Sequence, residues 1–109
     1  MYAYEIPGLR FSLPAGAAVG RHRFVSVNGN SEGIQATADT KIVGVSMNET
    51  KQGQVLEVAD GIVIVEAGGA ITAGVAVASN ADGKAVAGEG PAVAITAATA
   101  AGELVTVKL

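Results

Sequence analysis

The sequence predicts an all-β fold: a compact small β-barrel or β-sandwich of short strands with a degenerate internal repeat, preceded by an extended N-terminal arm. Three observations predict it. First, half of the 109 residues are apolar but small, 21 Ala and 15 Val against two Phe, two Tyr and no Trp, and 15 more are Gly. Gly costs a helix roughly 1 kcal/mol per position relative to Ala, and Val is a mediocre helix former. Second, short β-like runs recur along the chain. Third, turn dipeptides built on Gly separate those runs. Only 16% of residues are charged, which excludes the low-hydrophobicity, high-charge composition of a disordered tail. The length fits one domain.

In chain order, residues 9–13 alternate apolar and polar, and residues 24–27 do so less strictly. Residues 41–45, 55–58, 62–65, 75–78, 84–87, 92–95 and 104–109 are further β-like runs. Asn28-Gly29, Asp60-Gly61 and Asp82-Gly83 read as hairpin dipeptides. Residues 96–101 read as one helical turn or a loop. Their counterpart at 48–52 is polar, which favours a surface connection for both. Strands this short and this regularly punctuated suit a sandwich or small barrel.

The chain also repeats itself. Ala15-Gly-Ala-Ala-Val matches Ala67-Gly-Gly-Ala-Ile at an offset of 52, and Gly53-Gln-Val-Leu-Glu-Val matches Gly102-Glu-Leu-Val-Thr-Val at an offset of 49. The repeat is therefore placed at about residues 15–58 and 67–107. Two such copies are too few for a free-standing solenoid and are expected to pair into one barrel or sandwich.

Charge and aromatics are biased toward the start. Residues 1–25 carry Arg10, Arg21 and Arg23 against Glu5, while the remainder carries four Lys against nine acids, giving −3 in all. Tyr2, Tyr4, Phe11 and Phe24 are the only aromatics. Residues 1–14 are expected to be an arm that docks on a partner or sister subunit, with Tyr2, Tyr4, Ile6, Arg10 and Phe11 as its contact residues. The competing reading is that these large groups cap the domain's own core.

No chemistry-bearing motif emerges, so no enzyme, cofactor or metal site is expected. His22 is the single histidine and sits between Arg21 and Arg23, which oppose its protonation; it reads as an exposed turn or strand residue. Asn80-Ala-Asp-Gly-Lys begins like a calcium loop but has no Glu at the twelfth place, so a hairpin turn is expected, with Gly83 supplying a positive φ. Gly88-Glu-Gly-Pro lacks the Lys-Ser/Thr of a phosphate loop. Asp39, Glu49, Glu57, Asp60 and Glu66 read as single solvated acids. The absence of cysteine excludes disulfides and thiolate metal sites. The acidic balance argues against nucleic acid. The uncharged run 67–81 is shorter than the roughly 20 residues of a membrane helix. With no signal peptide visible at the start, a soluble protein made inside the cell is expected.

Residues 42–47, the long run 53–87 and the ending 97–109 resemble the small capsid decoration, or cement, proteins of tailed bacteriophages. The resemblance covers residues 15–109. It implies a compact β-barrel or sandwich that binds the outer surface of an icosahedral head after expansion, commonly as a homotrimer at three-fold and quasi-three-fold positions. The partner implied is the major capsid protein, and the implied location is the virion, after synthesis in the host bacterial cytoplasm. Two alternatives remain: a tail or fibre module of a phage, and a biotinyl- or lipoyl-type carrier domain with Lys84 at a hairpin tip. The Met-Lys-Met or Asp-Lys-Ala triplet usual in carriers is absent.

Overall fold

The computed structural model describes residues 5–38 and 41–109. Nine strands follow in order: β1 (Ile6–Pro14), β2 (Phe24–Val27), β3 (Gly33–Gln35), β4 (Gly44–Ser46), β5 (Val55–Glu66), β6 (Ala76–Ser79), β7 (Ala85–Ala87), β8 (Ala92–Ala94) and β9 (Leu104–Lys108). Among the described residues there is no helix, so the stretch 96–101 is a loop; it and its counterpart at 48–52 are not wholly on the surface, since Thr96, Ala98 and Thr50 are buried. The strands form one antiparallel sheet in the order β3-β2-β4-β5-β9-β8-β6-β7, curled into a half-barrel. Ile62 faces Ile6 on one edge of β5 and Lys108 on the other, so β1 lies on the edge opposite β9.

The Asp60-Gly61 hairpin expected from sequence does not form. β5 runs straight through it, because its two halves find different neighbours: β4 meets Val58 and Ala59, while β9 meets residues 62–66. The dipeptide instead takes up an irregularity in the β1–β5 register between Pro7 and Leu9. Gly61 has φ +100, and an added Cβ would stand 2.6 Å from the Gly8 nitrogen. Only glycine combines that conformation with that approach. Strand β3 was not legible, since three residues around Ile34 show no alternation.

The internal repeat is visible as identical strand register. Phe11 pairs with Val58 as Val63 pairs with Val107, Val25 with Gln35 as Val77 with Ala87, and Val45 with Ala59 as Val93 with Lys108. The isolated bridges repeat too, Ala15 to Gly33 as Ala67 to Ala85, and Val19 to Thr50 as Ile71 to Ala98. The hairpin turns share one hydrogen-bond pattern. Asn28 Oδ1 accepts from the N–H groups of Asn30 and Glu32, and Asn80 Oδ1 from those of Asp82 and Lys84. These side chains satisfy amides that a tight turn would otherwise leave unpaired. Ser31 at φ 61 occupies the place of Gly83 at φ 74. By this register, residues 10–14 of β1 correspond to residues 62–66 of β5.

The core divides accordingly. A larger cluster holds Phe24 with Val45, Val63, Val65, Val77, Val105 and Val107. A smaller one holds Ala15, Val19, Val25, Leu56 and Val58, with Phe11 and Leu13 packed against it. Each fully buried Val or Leu contributes on the order of 1.5–3 kcal/mol. Among the described residues, Phe24 is the one fully buried aromatic of the core.

Candidate functional site

The N-terminal strand carries two strongly exposed apolar side chains, Ile6 and Leu9. Of the five contact residues expected from sequence, Tyr2 and Tyr4 lie outside the described residues. Ile6 is 63% exposed and Arg10 is exposed, while Phe11 is half-buried against the smaller core cluster. Phe11 and Leu13 thus anchor β1 to the body, and Arg10, Ser12 and Pro14 stand on its outer side. Leu9 shares the phase of Phe11 yet is 60% exposed, because it sits at the register irregularity. Val55, opposite Pro14, is 61% exposed and extends the apolar surface. Sequence alternation cannot reveal the exposure of Leu9, which is in phase with Phe11, whereas Val55 shares the outward phase of Glu57 rather than that of the core residues Leu56 and Val58.

The backbone of β1 is also open. Glu57, which faces Ser12, donates its N–H to Asn48 Oδ1 and accepts at its carbonyl from Met47. Opposed residues in an antiparallel pair exchange both backbone bonds or neither. The N–H and carbonyl of Ser12 therefore point away from β5, and those of Arg10 follow with the two-residue period. Among the described strands, β1 pairs with β5 alone. Such an edge is a template for adding a strand.

A second cluster joins the two repeat units. Arg23 Nη1 lies 2.9 Å from one Glu66 carboxylate oxygen and Lys84 Nζ 3.1 Å from the other. Glu66 is thus not the single solvated acid expected from sequence. Burial pushes its carboxyl pKa up, but hydrogen bonds from Lys84 and Arg23 outweigh that and leave it below the ordinary value. A lysine held by a carboxylate is poorly placed to act as a swinging carrier. Nearby, His22 adopts φ 59 and is half-buried rather than exposed. Burial, reinforced by Arg21, lowers its pKa. Its Nδ1 is buried without a partner.

Among the described residues, no three His, Asp or Glu side chains lie close enough together to hold a metal ion. Nor does any helix of these residues have the length and apolarity to cross a membrane.

The geometry therefore offers an open strand edge and an apolar rim suited to association, while the charged staple is satisfied within the chain. Comparison with known proteins agrees. The fold is similar to that in the crystal structure of the head fiber gp8.5 N base in bacteriophage phi29, with a TM-score of 0.74 and 25% sequence identity over 91% of each chain. No curated protein matches the chain. The family model described as phage cement protein matches residues 6–109, nearly the whole sequence. The chain belongs to the phage cement protein family.

Proposed function

We propose that the protein binds the outer surface of an expanded phage head, stabilises it, and does so as a homotrimer at three-fold and quasi-three-fold positions. The role is structural rather than catalytic. The major capsid protein is the partner, and neither nucleic acid nor membrane is engaged. The observation that carries this reading is the cement-family match over residues 6–109, joined to the exposed N-terminal strand. Tyr2, Tyr4 and Ile6 are the apolar anchors on the capsid, Arg10 supplies a charge contact, and Phe11 holds the strand to the body.

The physics of stabilisation is linkage. A ligand that binds the expanded lattice and not its precursor stabilises the expanded state by its differential affinity. A trimer engaging three neighbouring capsid subunits gains avidity of about 100-fold or more. Each single interface can then be modest.

The test is sedimentation with expanded and unexpanded heads. The trimer is expected to pellet with expanded heads alone. Because β1 begins at Ile6, deleting residues 2–5 leaves the strand in place and is expected to abolish pelleting. Undiminished decoration by the deletion variant would move the capsid contact elsewhere. The likeness to a head fiber base favours a second reading, in which this fold seats a fibre on the head. Electron micrographs of decorated heads separate the two: a bare knob for a cement protein, a projecting fibre for a base.

A further inference from the structure

The contact between the two repeat units is asymmetric, and both of its halves recur unoccupied on the same chain. Inside the chain, the second unit supplies a strand edge and a hairpin turn, and the first unit receives them. The Glu66 N–H donates to the His22 carbonyl at 2.9 Å, and the Phe24 N–H donates to the Gly83 carbonyl at 2.8 Å.

The shared register names the counterpart of every participant. The edge of residues 62–66 corresponds to residues 10–14, the turn at 80–84 to that at 28–32, and the receiving segment 22–24 to residues 74–76. A two-fold contact would seat the turn of the first unit on the second, with the Ser31 carbonyl receiving the Ala76 N–H. It is not seated there. Ser31, Gly74 and Ala76 are exposed. Among the described residues, neither the Ser31 nor the Gly74 carbonyl accepts a hydrogen bond. Among the described residues, the supplying face of the first unit and the receiving face of the second are both free. A contact of this heterologous kind propagates from one copy to the next, closing as a ring or running on as a filament.

Side chains at the unmade contact are matched. An added Cβ at Gly83 would stand 2.7 Å from Gln35 Cγ, so the inner contact requires glycine in the turn. The counterpart of Gly83 is Ser31, which has a Cβ, and the counterpart of Gln35 is Ala87, which has no Cγ. The turn gains an atom where the receiving strand loses one. Val75 replaces Arg23, Pro14 replaces Glu66 and Glu32 replaces Lys84, so the ion-paired trio of the inner contact has no counterpart at the outer one. Pro14 brings no N–H for the Gly74 carbonyl, which makes the outer contact weaker than the inner.

We propose that copies of this chain join head to tail, the β1 edge and the 28–32 turn of one seated on residues 74–76 and 87 of the next. The docking mode rests on the fold alone; only a ring size of three rests on the capsid reading above.

The test is solution mass across a concentration series for wild type, Ala87→Gln and the double variant Ala87→Gln with Ser31→Gly. Ala87 is exposed, so its substitution leaves the core intact, and circular dichroism checks that. The glutamine collides with Ser31 Cβ and is expected to weaken association about tenfold. The glycine removes that Cβ, recreates the inner pairing and restores association. In parallel, Ser31→Cys with Ala87→Cys, in a chain that has no other cysteine, is expected to give interchain disulfides on oxidation. An oligomer indifferent to Ala87→Gln, or an intrachain product alone, overturns the docking mode. A protein monomeric at every concentration overturns it as well. A ring of other than three chains that still obeys the Gln–Gly pair keeps the docking mode and overturns the three-fold reading.

Discussion

Position 31 and position 83 occupy the same place in two copies of one turn, and glycine has opposite value at the two. Gly83 at φ +74 packs against Gln35, with the carbonyl oxygens of Phe24 and Ala36 at 3.3 and 3.4 Å from where a Cβ would stand. Gly83→Ala is expected to destabilise the fold by about 1–3 kcal/mol in chemical denaturation. Ser31 holds a left-handed conformation in an exposed turn. Ser31→Gly relieves that strain and is expected to leave folding stability unchanged or raised by up to about 1 kcal/mol. The positive φ of Gly83 is legible in Asp82-Gly83; the matching strain at Ser31 is not, because Asn28 and Glu32 impose it through the turn's hydrogen bonds. Titration at this scale also has a sign. The folded His22 resists protonation, since burial and Arg21 lower its pKa. The unfolded chain takes up its proton near pH 6.5. Stability is therefore lost as pH falls below about 6.5. Glu66 adds a second loss below its unfolded value, as protonation releases Arg23 and Lys84. His22→Gln is expected to flatten the first decline and spare the second, read as denaturation midpoints at pH 7, 5.5 and 4.

At the scale of elements, β5 organises the sheet. Its first half serves β1 and β4, its second half β9, and Gly61 lies between them. Gly61→Ala forces a Cβ to within 2.6 Å of the Gly8 nitrogen. The first turn of strand at Ile6 and Pro7 is then expected to separate from β5 while residues 11–14 stay paired. Amide exchange measures this directly: protection falls at residues 6 and 62 and persists at residue 11. Equal loss along all of β1 would contradict that division. The alternating runs of the sequence locate eight of the nine strands because their apolar positions face the two core clusters. The tertiary partners of Asp60-Gly61 are what turn a hairpin signal into a strand irregularity, and no local pattern encodes them. The exposure of Leu9 escapes for the same reason.

At the scale of the whole molecule, two similar units share one curled sheet, and a charged staple of Arg23, Glu66 and Lys84 closes them together. The repeat is readable from two short matches, Ala15 with Ala67 and Gly53 with Gly102, because the two alanines are fully buried and the two glycines hold a positive φ. Its asymmetry is not readable, since it depends on which face of each unit the other covers. The resemblance to cement proteins rests on residues 42–47, 53–87 and 97–109, and the family match extends it to residues 6–109. A core made mostly of Ala and Val, with Phe24 the single fully buried aromatic among the described residues, fits a module that gains stability by binding, so melting temperature is expected to rise on decorated heads. Binding to heads of the two forms tests the account most directly. Purified protein is mixed with unexpanded and expanded heads and sedimented at equal lattice concentration. The account predicts saturable pelleting with expanded heads and none with unexpanded ones. Equal binding to both, or to neither, would contradict a state-selective cement.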